Sequence, residues 1–167
     1  MNDAQSLVIQ EQAYRINARA EVRDVRMLSA QIELNEMPSP GGSLTYDLDS
    51  EPEVQYSAGD DFFVVRVNYR LVIRDVEKCD NESSEKDSSA DPENRIAEIV
   101  FSLAGLFALS MREGDPLPAD EELEAYSLTT GQLLLYPYAR EYIYDSTGRL
   151  GLPALSVGML KLPVKRG

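Results

Sequence analysis

The sequence contains no histidine, no tryptophan, a single cysteine and no long apolar run. Lacking histidine, it has no side chain that titrates near neutrality by default, no imidazole ligand for a metal and no base for a nucleophile–His triad. One thiol, Cys79, excludes an intramolecular disulfide and every multi-cysteine zinc site. Nothing around it points to catalysis, and it reads as incidental. Basic residues are also scarce: 16 Lys and Arg stand against 29 Asp and Glu, for a net charge of -13. They form no cluster, so nucleic acid is disfavoured as a partner, because neutralising phosphates takes grouped cations. The acidity serves solubility and would also favour basic partners. No stretch reaches membrane-spanning length, and MNDAQSLVIQEQ at the start lacks the basic end and apolar core of a signal peptide. A cytoplasmic protein without membrane insertion is expected. There is no glycine-rich phosphate loop and no metal-ligand spacing, so no catalytic residue, metal ligand or cofactor is assigned, and the chain is expected not to be an enzyme. Carboxylate pairs are plentiful without any being singled out, which leaves a carboxylate enzyme as the remaining catalytic alternative.

What the sequence does have is apolar residues in strand-like rows. With 167 residues and 43% apolar content, it suits one domain spanning 1–167 with a substantial core. Residues 1–13 are polar and helix-tolerant and read as an N-terminal arm or loose helix. From Tyr14 the pattern alternates, with Tyr14, Ile16, Ala18, Ala20 and Val22 in one phase and later Leu28, Ala30, Ile32 and Leu34. Val25 and Met27 fall out of phase between them, and a bulge there would restore it. MPSPGG at 37–42 ends that strand. Leu44, Tyr46, Leu48, Val54 and Tyr56 then alternate with Asp47, Asp49, Glu51 and Glu53, which puts an apolar row on one face and carboxylates on the other. Four acids raise the thought of calcium, but strand spacing without a glycine-centred loop does not fit an EF-hand, and a solvated face is the better reading. Ser50 and Pro52 interrupt the row and suggest an edge strand or a partial loop. Residues 61–75 form the clearest strand, with Phe63, Val65, Val67, Tyr69, Leu71 and Ile73 opposite Arg66, Asn68, Arg70 and Arg74. That basic row is placed to pair across strands with the acidic one.

Residues 77–94 are polar and read as a flexible connection, in which Asn81-Glu82-Ser83 matches a glycosylation acceptor by chance. A fourth strand spans 95–110, and a turn and a short helix with acids in its first turn follow. The stretch 130–155 is helical and two-faced. Leu135, Tyr138, Ala139, Tyr142 and Ser146 share one face, flanked by Leu134 and Ile143, while Leu133, Tyr136, Arg140 and Tyr144 share a second. Such a helix packs on its own sheet and on a helix of another subunit, or lies buried inside a monomer. Pro137 either kinks it or marks its start, and Gly148, Gly151 and Pro153 stop it. The order predicts an α+β fold: a four-stranded antiparallel sheet packed by a long C-terminal helix. The strands supply more apolar surface than one helix buries, which assembly or a groove for extended apolar peptide would use.

Residues Pro137, Tyr138, Ala139, Arg140 and Glu141, followed by Arg149, Gly151, Pro153 and Leu155, resemble the C-terminal signature of the SecB family. Weaker similarity runs from about Val22 through LTYDLDSEPEV at 44–54 and FFVVRV at 62–67. The LTYDL wording and YDSTGRL at 144–150 are most similar to the SecB-like chaperones of toxin–antitoxin–chaperone modules. The resemblance implies an ATP-independent holdase: a homotetramer built as a dimer of dimers that binds unfolded or extended clients along apolar grooves. In module-linked members the client is an antitoxin; export members hand clients to the SecA ATPase. It also implies a client groove at Leu44, Tyr46, Leu48, Val54 and Tyr56, with Met27 or Leu28 beside them, and an oligomer interface at Leu133, Tyr136, Arg140 and Tyr144. Within the family, the tail at 156–167 is short, the insertion at 77–94 is long, and the SecA-contact acids do not align residue by residue. These departures favour the antitoxin-linked role over protein export.

Overall fold

The computed structural model describes residues 3–76 and 95–160, so the expectations for 77–94, Cys79 among them, and for the end of the tail lie outside the described residues. Helix α1 (Asp3–Asn17) leads into β1 (Ala20–Leu34), β2 (Leu44–Gln55), β3 (Phe62–Asp75) and β4 (Arg95–Leu109). The order across the antiparallel sheet is β1-β4-β3-β2, so β1 and β2 form its two edges. After the sheet come α2 (Asp120–Tyr126), one wide turn over Ser127–Gly131 and α3 (Gln132–Arg149). This is the α+β fold that the strand rows and the late helix predict.

The inner faces of the central strands are packed dry. Phe63, Val65, Val67, Tyr69, Leu71 and Ile73 on β3 and Ala97, Ile99, Phe101, Leu103, Phe107 and Leu109 on β4 are all buried, which is the period-2 pattern of a half-buried strand. Helix α3 lies across these two strands. It buries Leu135, Tyr136, Ala139, Ile143 and Ser146 there and turns Leu134 and Tyr138 outward. The buried stripe is therefore rotated toward Tyr136 relative to the face expected from spacing. Pro137 sits inside the helix and does not start it; the helical chain enters from α2 through the wide turn. At the other end Gly151 adopts φ +76, a conformation that costs a side-chain-bearing residue but not glycine. The Leu152 amide donates back to the Thr147 carbonyl at 3.1 Å.

Two irregularities fix the edge strand β1. Its register against β4 shifts between Val22 and Asp24 and again between Met27 and Ser29. The first shift moves the inward phase onto Val25 and Met27, and the second returns it to Ala30, Ile32 and Leu34. One bulge alone would have left half the strand inside out. The N-terminal reading needs correction. Tyr14 and Ile16 belong to α1, not to a strand, because Ala13 and Ile16, three residues apart, are buried on the same side. Arg15 of this helix and Arg19 in the turn after it reach Glu122 of α2 at 3.3 and 3.9 Å.

On the outer sheet face Arg74 pairs with Asp47, and the Asn68 side chain donates to Glu53 at 3.1 Å. Arg70 turns the other way, to Glu98 on β4. These contacts are largely exposed and contribute little individually.

Burial also sets an alkaline limit on the fold. Desolvation pushes the Tyr126 hydroxyl up to about 12, and burial, followed by the nearby Tyr136, raises Tyr69 as well. Each stays neutral in the fold while its unfolded counterpart ionises near pH 10, so the stabilisation is complete below that pH and is lost as pH rises toward the folded value. Stability is expected to fall above about pH 10 by up to roughly 1.4 kcal/mol per pH unit per group. Urea midpoints at rising pH should show the decline, with a shallower slope in Tyr126→Phe; a flat profile to pH 11 would refute it.

Candidate functional site

The edge strand β2 is where the sheet stays partly open. Along it Leu44, Tyr46, Leu48, Val54 and Tyr56 all point to the helix side and pack against the core while remaining only partly buried. Two clefts follow this row. One, of about 570 Å³, is lined by Tyr46, Leu48 and Ser50 on one side and by Tyr136, Val157 and Leu160 on the other. The second, of about 420 Å³, runs between Val54 and Tyr56 and the α2 residues Leu123 and Glu124. The larger is walled mainly by apolar and aromatic side chains with Ser50 among them, the usual make-up of a peptide or ligand site, whereas the second mixes Pro52, Val54, Tyr56 and Leu123 with Glu53, Asp120, Glu124 and Ser127.

The C-terminal stretch forms one wall of the larger cleft. After α3 the chain doubles back, with Leu152 and Val157 buried. The Leu155 amide donates to the Thr147 hydroxyl at 2.9 Å. At Gly158 both backbone groups are held by tyrosines. The Tyr136 hydroxyl donates to the Gly158 carbonyl at 2.6 Å, and the Gly158 amide donates to the Tyr46 hydroxyl at 3.3 Å. Burial raises the Tyr136 hydroxyl above its usual range, with Arg140 opposing the shift, so it remains a proton donor at neutral pH.

Met27 and Leu28 do not lie beside the β2 row within the protomer. They belong to the opposite edge, because β4 and β3 intervene. Met27 instead lines a cleft of about 500 Å³ with Val25, Tyr138, Tyr142 and Tyr144, and Leu28 stands in the second bulge, 55% exposed. The helix quartet is divided too. Leu133 and Tyr144 are 43% and 56% exposed and Arg140 is exposed, but Tyr136 is 8% exposed and looks into the protomer. Its face is therefore not wet along its whole length.

No family model matches the chain. The SecB-like chaperone MT2006 of Mycobacterium tuberculosis strain CDC 1551 / Oshkosh is 42% identical over 163 residues, covering 97% of this chain and 89% of that one. The chain belongs to the SecB-like chaperones. A second such chaperone, Rv1957 of Mycobacterium tuberculosis strain H37Rv, is 41% identical with the same coverage. The solved structure of Rv1957, in complex with a ChAD peptide from the Rv1956 HigA1 antitoxin, superposes with a TM-score of 0.77 at 38% identity, covering 92% of this chain and 99% of that one.

This SecB-like chain thus carries a partly open apolar row on an edge strand, where alternation in the sequence had put it. Sequence reasoning missed the residues that complete the cleft: Ser50, Val157 and Leu160, and Tyr136 in its inward role. Ser50 had a signal, because it keeps the even phase of Tyr46 and Leu48. Val157 and Leu160 had none, since only the return of the chain beside β2 brings them there. Among the described residues no helix is long and apolar enough to cross a membrane.

Proposed function

We propose that this chain is an ATP-independent holdase whose client is the antitoxin of a toxin–antitoxin module, bound in extended form along the β2 row. The observation that carries the reading is the solved relative, similar over nearly all of this chain, which holds an antitoxin peptide. The partly open apolar row of β2 and the larger cleft beside it fit such a client, because an extended segment offers alternate side chains to an apolar wall and its backbone to polar groups. The assembly is a homotetramer acting in the cytoplasm, in which copies cover the apolar surface that a single protomer leaves open. Val22, Met27, Ile32 and Leu34 face inward on β1 yet each is about 40% exposed, and the outward residues of α3 add to that surface. Export through SecA is the second reading. It would use the outer carboxylates of β2, of which Asp47 and Glu53 already bond to Arg74 and Asn68.

Suppression of aggregation of an unfolded model protein, with and without ATP, tests the holdase. Equal suppression in both is expected at stoichiometric concentration, and none would overturn it. Co-expression with the antitoxin encoded next to this gene, where one exists, tests the client: antitoxin half-life should lengthen. Leu48→Asp places a carboxylate in the client path, where stripping its water costs several kcal/mol unless it is paired. A loss of antitoxin affinity of tenfold or more is expected with circular dichroism and oligomer size unchanged. Loss of the fold would instead make Leu48 a core residue.

A further inference from the structure

The larger cleft beside β2 is closed on its far side by the protein's own residues 157–160, and Gly158 reaches across to Tyr46 of β2 and covers that part of the row. We propose that this segment occupies the client's seat, that Tyr46 and Tyr136 form a clamp for the backbone of one residue of any extended peptide lying there, and that a client binds by displacing the segment. The inference rests on the client-binding reading above and adds to it the residues that grip and the occupant that must leave.

The contacts are those of a bound peptide more than of a structural turn. Gly158 gives its amide to the Tyr46 hydroxyl at 3.3 Å and receives the Tyr136 hydroxyl on its carbonyl at 2.6 Å. An edge strand treats alternate residues of a neighbour in this way, exchanging both bonds with one residue. Here two side-chain hydroxyls take the place of the neighbouring backbone, so recognition falls on groups that every residue except proline carries. The side chains flanking the clamp are sorted by burial. Val157 is 1% exposed, Leu160 is partly buried in the core, and Met159 is 86% exposed. The seat therefore prefers an apolar residue just before the clamped one and is indifferent just after it.

Gly158 itself sets no requirement for glycine. A Cβ built there meets nothing within 4 Å, and its φ lies outside the left-handed region. The clamped position would take an ordinary L-residue, as a site for varied client sequences must. The segment is also poorly anchored. Two hydrogen bonds to hydroxyls and one fully buried side chain hold it there, against the backbone entropy of ordering the five residues 156–160. Among the described residues, Tyr136 is the α3 side chain that bonds residues 156–160, and Thr147 holds only the Leu155 amide just before them. A client with more apolar residues has the advantage for the same wall.

The test uses the full chain and a fluorescent 15-residue peptide of alternating Val, Leu and Ser. In the wild type, saturation with peptide should raise amide hydrogen exchange at Gly158 and Val157 at least tenfold while α3 stays protected. Val157→Asp expels the segment, because a carboxylate cannot occupy the dry pocket without a partner, and peptide affinity should rise about tenfold. A synthetic Ala154–Leu160 peptide should then bind the Val157→Asp chain and compete with the fluorescent one. Adding Tyr46→Phe and Tyr136→Phe to Val157→Asp should lower affinity about tenfold. In the wild type the same pair of changes should matter less, since the hydroxyls hold segment and client alike. Should Val157→Asp fail to fold, the exchange measurement on the wild type still decides. Peptide binding with Gly158 exchange unchanged would overturn the displacement and leave the holdase standing. Peptide that binds neither the wild type nor Val157→Asp would overturn both.

Discussion

Gly105→Val is expected to unfold much of the core's advantage, at a cost of about 3–5 kcal/mol. Gly105 lies on the inward face of β4, opposite Val65 of β3 and Val25 of β1. The space its side chain would fill is taken. A Cβ there would come within 2.7 Å of the Phe107 ring and 3.1 Å of the Leu135 side chain. Phe107 cannot swing away cheaply. Its ring stacks on Phe63 at 5.2 Å and meets the edge of Tyr126 at 5.5 Å, and Phe63 meets the same tyrosine at 5.4 Å. A branched side chain at 105 must therefore rotate Phe107 off Phe63, lift α3 at Leu135, or do both. Overpacking alone costs about 1–3 kcal/mol, and each broken aromatic pair adds about 0.5–1.5 kcal/mol. Urea unfolding should show the midpoint fall with little change in slope. Gly158→Ala, with open space around it, is the control and should leave the midpoint where it was. Equal midpoints for Gly105→Val and wild type would mean that the Phe107 ring is not packed as described.

Such a site is invisible to pattern reading, whereas the rows around it are not. Phe63 to Ile73 and Ala97 to Leu109 were legible because each residue's partner is two positions away, and period 2 survives any arrangement of strands. The β2 row was legible on the same ground. Strand order was not. Nothing in the local pattern of Met27 or Leu28 says that β4 will insert between β1 and β3, which is why they looked like neighbours of Tyr46 and are not. The start of β1 failed for a related reason. Tyr14, Ile16, Ala18 and Ala20 alternate as a strand would, but Ala13 and Ile16 also stand at helical spacing, and docking against α2 decides for the helix. The helix faces were readable to within about one residue's rotation, roughly 100°. That rotation mattered for Tyr136, which the returning segment covers through the Gly158 carbonyl.

That rotation narrows the second large effect to the outward residues of α3. Leu133, Leu134, Tyr138 and Tyr144 are between 40% and 56% exposed on one helix. With its other side committed to the sheet, this is the surface that a helix of another subunit would cover in the tetramer proposed above. Aromatic side chains are the usual anchors of such contacts, and truncating one costs about 2 kcal/mol or more. Tyr144→Glu replaces an anchor with a carboxylate that would lose its water at the contact, and closed symmetry repeats the change in every copy. Tyr136 is left untouched, because replacing it would also cut the bond to Gly158 and confuse loss of assembly with damage to the protomer. Leu133→Glu is the second substitution of choice, exposed and on the same helix. Light scattering coupled to size exclusion should report tetramers for the wild type and folded dimers for Tyr144→Glu with Leu133→Glu, their circular dichroism unchanged. A wild type that runs as a monomer would overturn the tetramer itself, and a double variant that stays tetrameric at low micromolar concentration would remove α3 from the assembly and leave the exposed β1 edge as its place.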